Sequence, residues 1–202
     1  MSSGKASQIL TVFFVVVALA SQGQFDYNTL GYHTLSFDTL PTPLITKKEF
    51  NRFGSKTGLR NNFKYLGAAE GFENLKVLCM YQDDLENIWM GGEGTFSKFT
   101  GREIWHYTLE GTSKPFYAII QDDEHNMWFC SNGGGIIKYD GSYFLKVIFP
   151  DSTMNQIDMG ILDVVKDSEG TLFFASTSHG VLVIKGDQIA SFSVKEGLSH
   201  KT

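Results

Sequence analysis

From about residue 77 to residue 194, short apolar runs alternate with breaks rich in glycine and acidic residues. The runs are four to seven residues long, the breaks recur about every 10–13 residues, and β-branched and aromatic side chains dominate the runs. That length and composition predict strands, because a helix of a soluble domain needs a longer run with a 3.6-residue period. The best-defined stretch predicts four strands, at about Tyr117–Gln121, Met127–Cys130, Gly135–Tyr139 and Tyr143–Phe149. DDEHN forms the first turn, and Asp140-Gly141 marks a hairpin, since Gly tolerates positive φ and Asp bonds its own turn.

The same pattern occurs three times: MYQDDLENIWMGGEGTFSKFTG (80–101), IIQDDEHNMWFCSNGGGIIKYDG (119–141) and VVKDSEGTLFFASTSHGVLVIKG (164–186). Asp83, Asp122 and Asp167 align, and Trp89, Trp128 and Phe173 follow six residues later. A small residue comes two positions further on (Gly91, Cys130, Ala175), then a Gly- or Ser-rich loop, an apolar run and Gly101, Gly141 or Gly186. Gly71-Phe72 and Gly197-Leu198 bracket the copies at a separation of 126 residues, an average period of 42. A strand-only repeat of that period is a four-stranded propeller blade. The expected fold is therefore all-β: a partial β-propeller with three clear blades, at about 77–116, 117–160 and 161–202. The large aromatic supplies the apolar area by which blades stack, and the small residue on the same face leaves it room.

The arrangement D-x-x-G-x-x-W, followed by a small residue and a Gly-rich loop, resembles the two-component regulator propeller repeat over residues 71–202. Asp167, Gly170 and Phe173 match its opening, with Phe in place of Trp. Asp83 with Trp89 and Asp122 with Trp128 match at both ends, while Glu86 and His125 stand where the family has Gly. IIKYDG (136–141) matches the family's blade ending. The resemblance implies an exported sensory propeller at the N-terminus of a membrane-spanning hybrid histidine kinase or related regulator. It also implies further blades of the same chain as partners, with the membrane engaged only through regions C-terminal to this sequence.

The first twenty residues are of another kind. Ile9–Ala20 is an apolar run ending in Ala18-Leu19-Ala20, with Lys5 as the only charge before it. About twelve apolar residues fall short of the ~20 that span a bilayer. The pattern predicts a signal peptide over 1–20, hence a periplasmic or extracellular protein. Residues 21–70 carry no Trp in phase with the repeat; a degenerate blade, a closing strand and a capping extension all remain open. Lys47, Lys48, Arg52, Lys56 and Arg60 read as a solvated face. FSVKEGLSHKT at the end aligns with the approach to another first strand, which predicts that the sequence is an N-terminal fragment.

Composition narrows the function. The 202 residues carry a net charge of −5, with 42% hydrophobic residues and 17 Phe. A chain this apolar folds, and its acidic balance argues against nucleic-acid binding. Cys79 and Cys130 lie in predicted strands and are expected to be free and buried, although export permits a disulfide. Asp122, Glu124 and Asn126 have alternating calcium-ligand spacing, but the twelfth position is Gly133 where an EF-hand loop needs Glu. The five histidines form no zinc pattern, and SNGGG (131–135) lacks the Lys-Ser/Thr of a phosphate loop. No metal, cofactor or catalytic residue is predicted.

Loops at the funnel end of a propeller are the usual place for a small ligand. Polar residues on the loops between second and third strands make Glu93, Asn132 and His179 the candidate ligand contacts. A ligand-sensing propeller for a carbohydrate or other small extracellular molecule, without enzyme activity, is the expected function. The alternatives are a secreted propeller enzyme (a polysaccharide lyase or hydrolase) and a protein-interaction scaffold.

Overall fold

A computed structural model of the chain describes residues 26–49, 76–110, 114–150 and 159–193. The predicted signal peptide, both Gly landmarks and the C-terminal FSVKEGLSHKT after Ser193 lie outside them. Among the described residues, fifteen strands follow a 3₁₀ turn at Tyr27–Thr29. Three form an N-terminal strap: β1 (His33–Thr34), β2 (Ser36–Thr39) and β3 (Leu44–Glu49). Blade 1 follows, with β4 (Cys79–Gln82), β5 (Ile88–Gly91), β6 (Phe96–Phe99) and β7 (Glu103–Thr108). Blade 2 holds β8 (Phe116–Gln121), β9 (Met127–Ser131), β10 (Gly135–Tyr139) and β11 (Phe144–Ile148). Blade 3 holds β12 (Ile161–Lys166), β13 (Leu172–Ser176), β14 (Val181–Lys185) and β15 (Gln188–Phe192).

Each blade is an antiparallel meander with its first strand innermost, so that β4 lies beside β8 and β8 beside β12. Gly101, Gly141 and Gly186 sit in the turns that join third and fourth strands. Each sheet holds one strand more than the four the repeat predicts. The strap supplies it in reverse blade order: β1 pairs with β15, β2 with β11 and β3 with β7, all antiparallel. Residues 33–49 thus build no blade of their own; they occupy the outer edges of three, where unpaired backbone groups would otherwise be exposed.

Blades stack through alternate residues. On the face of blade 1 toward blade 2, Trp89, Phe96 and Tyr107 pack against Phe116, Phe129 and Phe144. The Phe96 and Phe129 rings are 4.5 Å apart, and Trp89 meets Phe129 edge-on at 5.5 Å. On the next interface Trp128, Cys130 and Ile136 of blade 2 meet Phe174, Leu182 and Ile184 of blade 3. The small residue after each aromatic makes room for the neighbouring first strand. A Cβ on Gly91 would lie 2.6 Å from Cys79 Sγ and 2.9 Å from Phe116 Cβ.

The recurring Asp organises each turn between first and second strands. Asp83 Oδ1 accepts the N–H groups of Leu85 (3.1 Å) and Asn87 (2.8 Å), and Asp83 Oδ2 accepts the Trp89 indole N–H at 2.8 Å. Asp122 repeats this with Glu124, Asn126 and the Trp128 indole, the last at 2.7 Å. Asn87 and Asn126 add side-chain donors, a role the spacing alone does not reveal. The turn also needs a left-handed residue, and φ is +63° at Glu86, +67° at His125 and +83° at Gly170. Glu86 and His125 thus hold the conformation for which the repeat uses Gly, and carry its strain.

Trp89→Phe is expected to lower unfolding stability by about 1.5–3 kcal/mol, because it orphans one acceptor position of a buried carboxylate. Phe129→Ala is expected to cost about 3–5 kcal/mol through the cavity it leaves between blades. Urea denaturation of the two variants beside the wild type checks both.

Candidate functional site

The acidic pairs Asp83-Asp84 and Asp122-Asp123 divide their work. The first acid serves its own turn, as above; the second reaches the next blade. Gln121 ends β8, and its Nε2 donates to Asp84 Oδ1 at 2.7 Å while its Oε1 accepts the Asp84 N–H at 2.9 Å. Asp84 Oδ2 also pairs with His125 Nδ1. One blade further on, Asp123 pairs with Lys166, which ends β12, and lies against Gly170, where a Cβ would meet Asp123 Oδ2 at 2.5 Å. These carboxylates are engaged by amides, an indole, an imidazole and an ammonium, so they do not converge on one point. Among the described residues no group of His, Cys, Asp and Glu is placed to hold a metal ion. The Gln121 amide above all, opposed by burial and aided by the His125 imidazole, holds the Asp84 carboxyl below its ordinary value of 3.8.

At the opposite end of the blades, the loops between second and third strands are stitched to the start of the first strand of their own blade or of the next. The Phe116 N–H donates to Gly92 O (3.0 Å) and the Asn132 N–H to Pro115 O (3.0 Å). The Gly133 N–H donates to Met159 O (3.2 Å) and the Thr177 N–H to Gly160 O (2.8 Å). Glu93 bridges to Pro115 and Asn132 to Gly160. Glu93, Asn132 and Thr177 hold equivalent positions, each two residues after the small residue of its second strand. His179 lies two residues beyond that register, with its Nδ1 2.8 Å from Ser178 Oγ and its N–H directed to Ser176 Oγ. Thr177 is therefore the blade 3 counterpart that the loop sequence conceals, since STSHG offers several polar residues and no fixed count.

Glu93 is exposed and bonded to Lys76 Nζ at 2.7 Å. Asn132 and Thr177 are half-buried and close together across Gly160, over which both side-chain oxygens lie. A Cβ at Gly160 would sit 2.3 Å from Asn132 Oδ1 and 2.9 Å from Thr177 Oγ1, so only Gly lets the two approach. Nearby on β12, Asp163 is half-buried on the innermost strand beside a β-bulge, and burial raises its carboxyl, with the Val164 N–H opposing. Asp163 has no counterpart in the other copies, where Cys79 and Ala118 take its place, and the repeat gives no sign of it. The end thus presents an amide, hydroxyls, an imidazole and two carboxylates, all of them hydrogen-bonding groups.

The two thiols differ. Both are free; Cys130 is fully buried, whereas Cys79 is only partly so, contrary to the expectation of two buried residues. Burial pushes the Cys79 thiol up to about 11 and that of Cys130 upward too, so neither is a nucleophile at neutral pH. A cleft of about 210 Å³ lies elsewhere, under the strap, among His33, Phe149, Pro150, Leu182 and Ile189. None of the three predicted contacts lines it.

No protein-family model matches the chain, and no curated protein does. Solved structures do. The chain resembles a catalytically inactive virginiamycin B lyase from Staphylococcus aureus with quinupristin, at 16% identity and a TM-score of 0.51, over 84% of this chain and 62% of the other. It resembles a streptogramin B lyase at 18% identity and a TM-score of 0.49, over 59% and 41% of the two chains. The extracellular domain of a hybrid two-component system from B. thetaiotaomicron gives 18% identity and a TM-score of 0.41, over 56% and 14%. The chain spans less than two thirds of the length of each. The first likeness, with the sheet order above, makes the fold a β-propeller.

Asp84→Asn tests the link between blades. A carboxyl held below its ordinary value contributes stability that is present above pH 3.8 and is lost as pH falls through its folded value. The wild type is expected to melt above the variant at pH 6, and the two melting curves to converge as pH is lowered toward 2. Thermal melts across that range check it.

Proposed function

We propose that this chain is an exported, ligand-sensing β-propeller, the N-terminal region of a membrane signal-transduction protein resembling hybrid two-component histidine kinases, and not itself an enzyme. The observation that carries this conclusion is the repeat resembling the two-component regulator propeller. Its marked residues have roles in building the blades: turn (Asp83, Asp122, Asp167), packing of one blade face (Trp89 and Trp128 against the next blade, Phe173 against Tyr27) and hairpin (Gly101, Gly141, Gly186). That leaves the loops at the Asn132 end free to vary for recognition. The apolar run Ile9–Ala20 supports export.

The ligand contacts we assign are Asn132, Thr177 and, at the edges, Glu93 and His179. An amide and hydroxyls set in half-buried backbone bind a neutral, hydroxyl-rich molecule by exchanging donors and acceptors, which fits a carbohydrate fragment. Further blades of the same chain complete the mouth.

Isothermal titration with a panel of neutral and acidic oligosaccharides tests this. Saturable binding without bond cleavage is expected, weakened about fivefold by Asn132→Ala or Thr177→Val, the loss of one hydrogen bond of ~1 kcal/mol. Binding unaffected by both substitutions would remove the site from this end. Product formation would move the protein to the secreted-enzyme class. Fusing residues 1–50 to a reporter active only outside the cytoplasm tests export separately.

A further inference from the structure

Blade 3 lacks the indole that serves the Asp turn in the other two blades, and the strap supplies its replacement. Phe173 stands where Trp89 and Trp128 donate to Asp83 and Asp122, and a phenyl ring has no donor. In blade 3, the Tyr27 hydroxyl donates to Asp167 Oδ2 at 2.8 Å, the counterpart of the oxygen that accepts the indole elsewhere. Its ring stands edge-on to Phe173, with centroids 5.3 Å apart. The substitution extends to the cation above the ring. Lys98 Nζ lies 5.1 Å from the Trp89 ring and Lys138 Nζ 5.3 Å from that of Trp128. Lys185, on the same face of the third strand, lies 5.2 Å from the Tyr27 ring and also donates to Asn28 Oδ1. Asp167 still accepts the N–H groups of Glu169 and Thr171, while Thr171 stands where Asn87 and Asn126 add an amide donor in the other blades. The Thr171 side chain lies beside the phenol.

The surroundings of Tyr27 are those of an interblade contact. Phe173, Ala175, Val181 and Val183 form the face of blade 3 that corresponds to the faces by which blades 1 and 2 stack on their successors. Tyr27 is 7% exposed there, and Leu30 and Tyr32 pack beside it, with the Tyr32 hydroxyl donating to Tyr27 O at 3.0 Å. Burial above all, then the hydrogen bond to Asp167 and the charge of that carboxylate, pushes the Tyr27 phenol up to about 12 against an opposing contact from Thr171, so it remains a donor at any physiological pH.

We propose that this face of blade 3 is a socket for an aromatic ring bearing a hydrogen-bond donor, that its occupant is Tyr27 of the same chain, and that Tyr27 is the latch that fastens the N-terminal strap across the blades. The latch works because Phe173 leaves both the space and the acceptor that a tryptophan would have used. An indole at 173 and the phenol of Tyr27 are thus competitors for one position.

Two variants of the full chain test this by amide hydrogen exchange. Tyr27→Phe keeps the ring and removes the donor. Exchange at Leu30 and Leu35, whose N–H groups bond Tyr27 O and Asp187 O, is expected to rise about tenfold, equivalent to ~1.4 kcal/mol. Phe173→Trp supplies an indole to Asp167, expels Tyr27 and raises exchange at the same amides. In the double variant, Tyr27→Phe should add nothing to the effect of Phe173→Trp, and the Asn87 and Asn126 amides should stay as protected as in the wild type. Wild-type protection at Leu30 and Leu35 in either single variant, or effects that multiply in the double variant, would overturn the proposal. If one variant fails to fold, the other still decides, since one subtracts a donor and the other adds one.

Discussion

The architecture depends on keeping a buried carboxylate satisfied. Asp83 is 7% exposed, and a charge so placed costs several kcal/mol unless donors surround it. The chain meets that demand locally, with two turn N–H groups, an asparagine amide and an indole, all within six residues. Fixing the indole to the carboxylate fixes the ring on one face of the second strand, and that ring is what the neighbouring blade stacks on. Turn geometry and blade stacking are thus one constraint, and this is why Asp and the aromatic recur at the same spacing. The left-handed backbone at Glu86 and His125 follows from it: the turn's hydrogen bonds outweigh the strain that a side chain suffers there.

The second acid extends the constraint from one blade to the next. Asp84 meets Gln121 and His125; Asp123 meets Lys166 and lies against Gly170. The receiving residues occupy the same two places in each blade: the end of the first strand and the left-handed turn position. Their chemistry varies from amide to ammonium because the site asks only for a donor. These contacts are partly exposed and add modestly to stability. Their worth lies in setting the angle at which one blade meets the next, since the aromatic faces alone have no preferred register.

The blades were legible because their signals are local. The third strand of blade 2 was predicted at Gly135–Tyr139 and is found there; the others differ by a residue or two at their ends. The fifth strands were not legible. β3 is exposed at five of its six positions, and it joins its sheet through backbone hydrogen bonds that any residue but proline makes. Lys47, read as part of a solvated face, lies over the Trp105 ring at 3.6 Å while keeping its charge in water. Of the candidate contacts Glu93, Asn132 and His179, the loop register was legible for the first two. Glu93 and Asn132 fall on equivalent positions, but the loop after β13 disguises Thr177, and Asp163 departs from the repeat rather than following it.

Departures from the repeat carry information that the repeat does not. Phe173 looked like a conservative exchange within one copy, aromatic for aromatic. It removes a donor from a half-buried carboxylate, and a tyrosine about 140 residues away in sequence stands in the gap. No local pattern reports a partnership at that distance; only the unmet hydrogen-bonding capacity of Asp167 does. The same logic applies to Asp163. An acid replaces Cys79 and Ala118 of the sister blades on the strand nearest the axis, where burial raises its carboxyl and stacking gains nothing from the charge. A carboxylate on the first strand, where the sister blades place uncharged residues, is thus a point at which blade 3 departs from the repeat it otherwise follows.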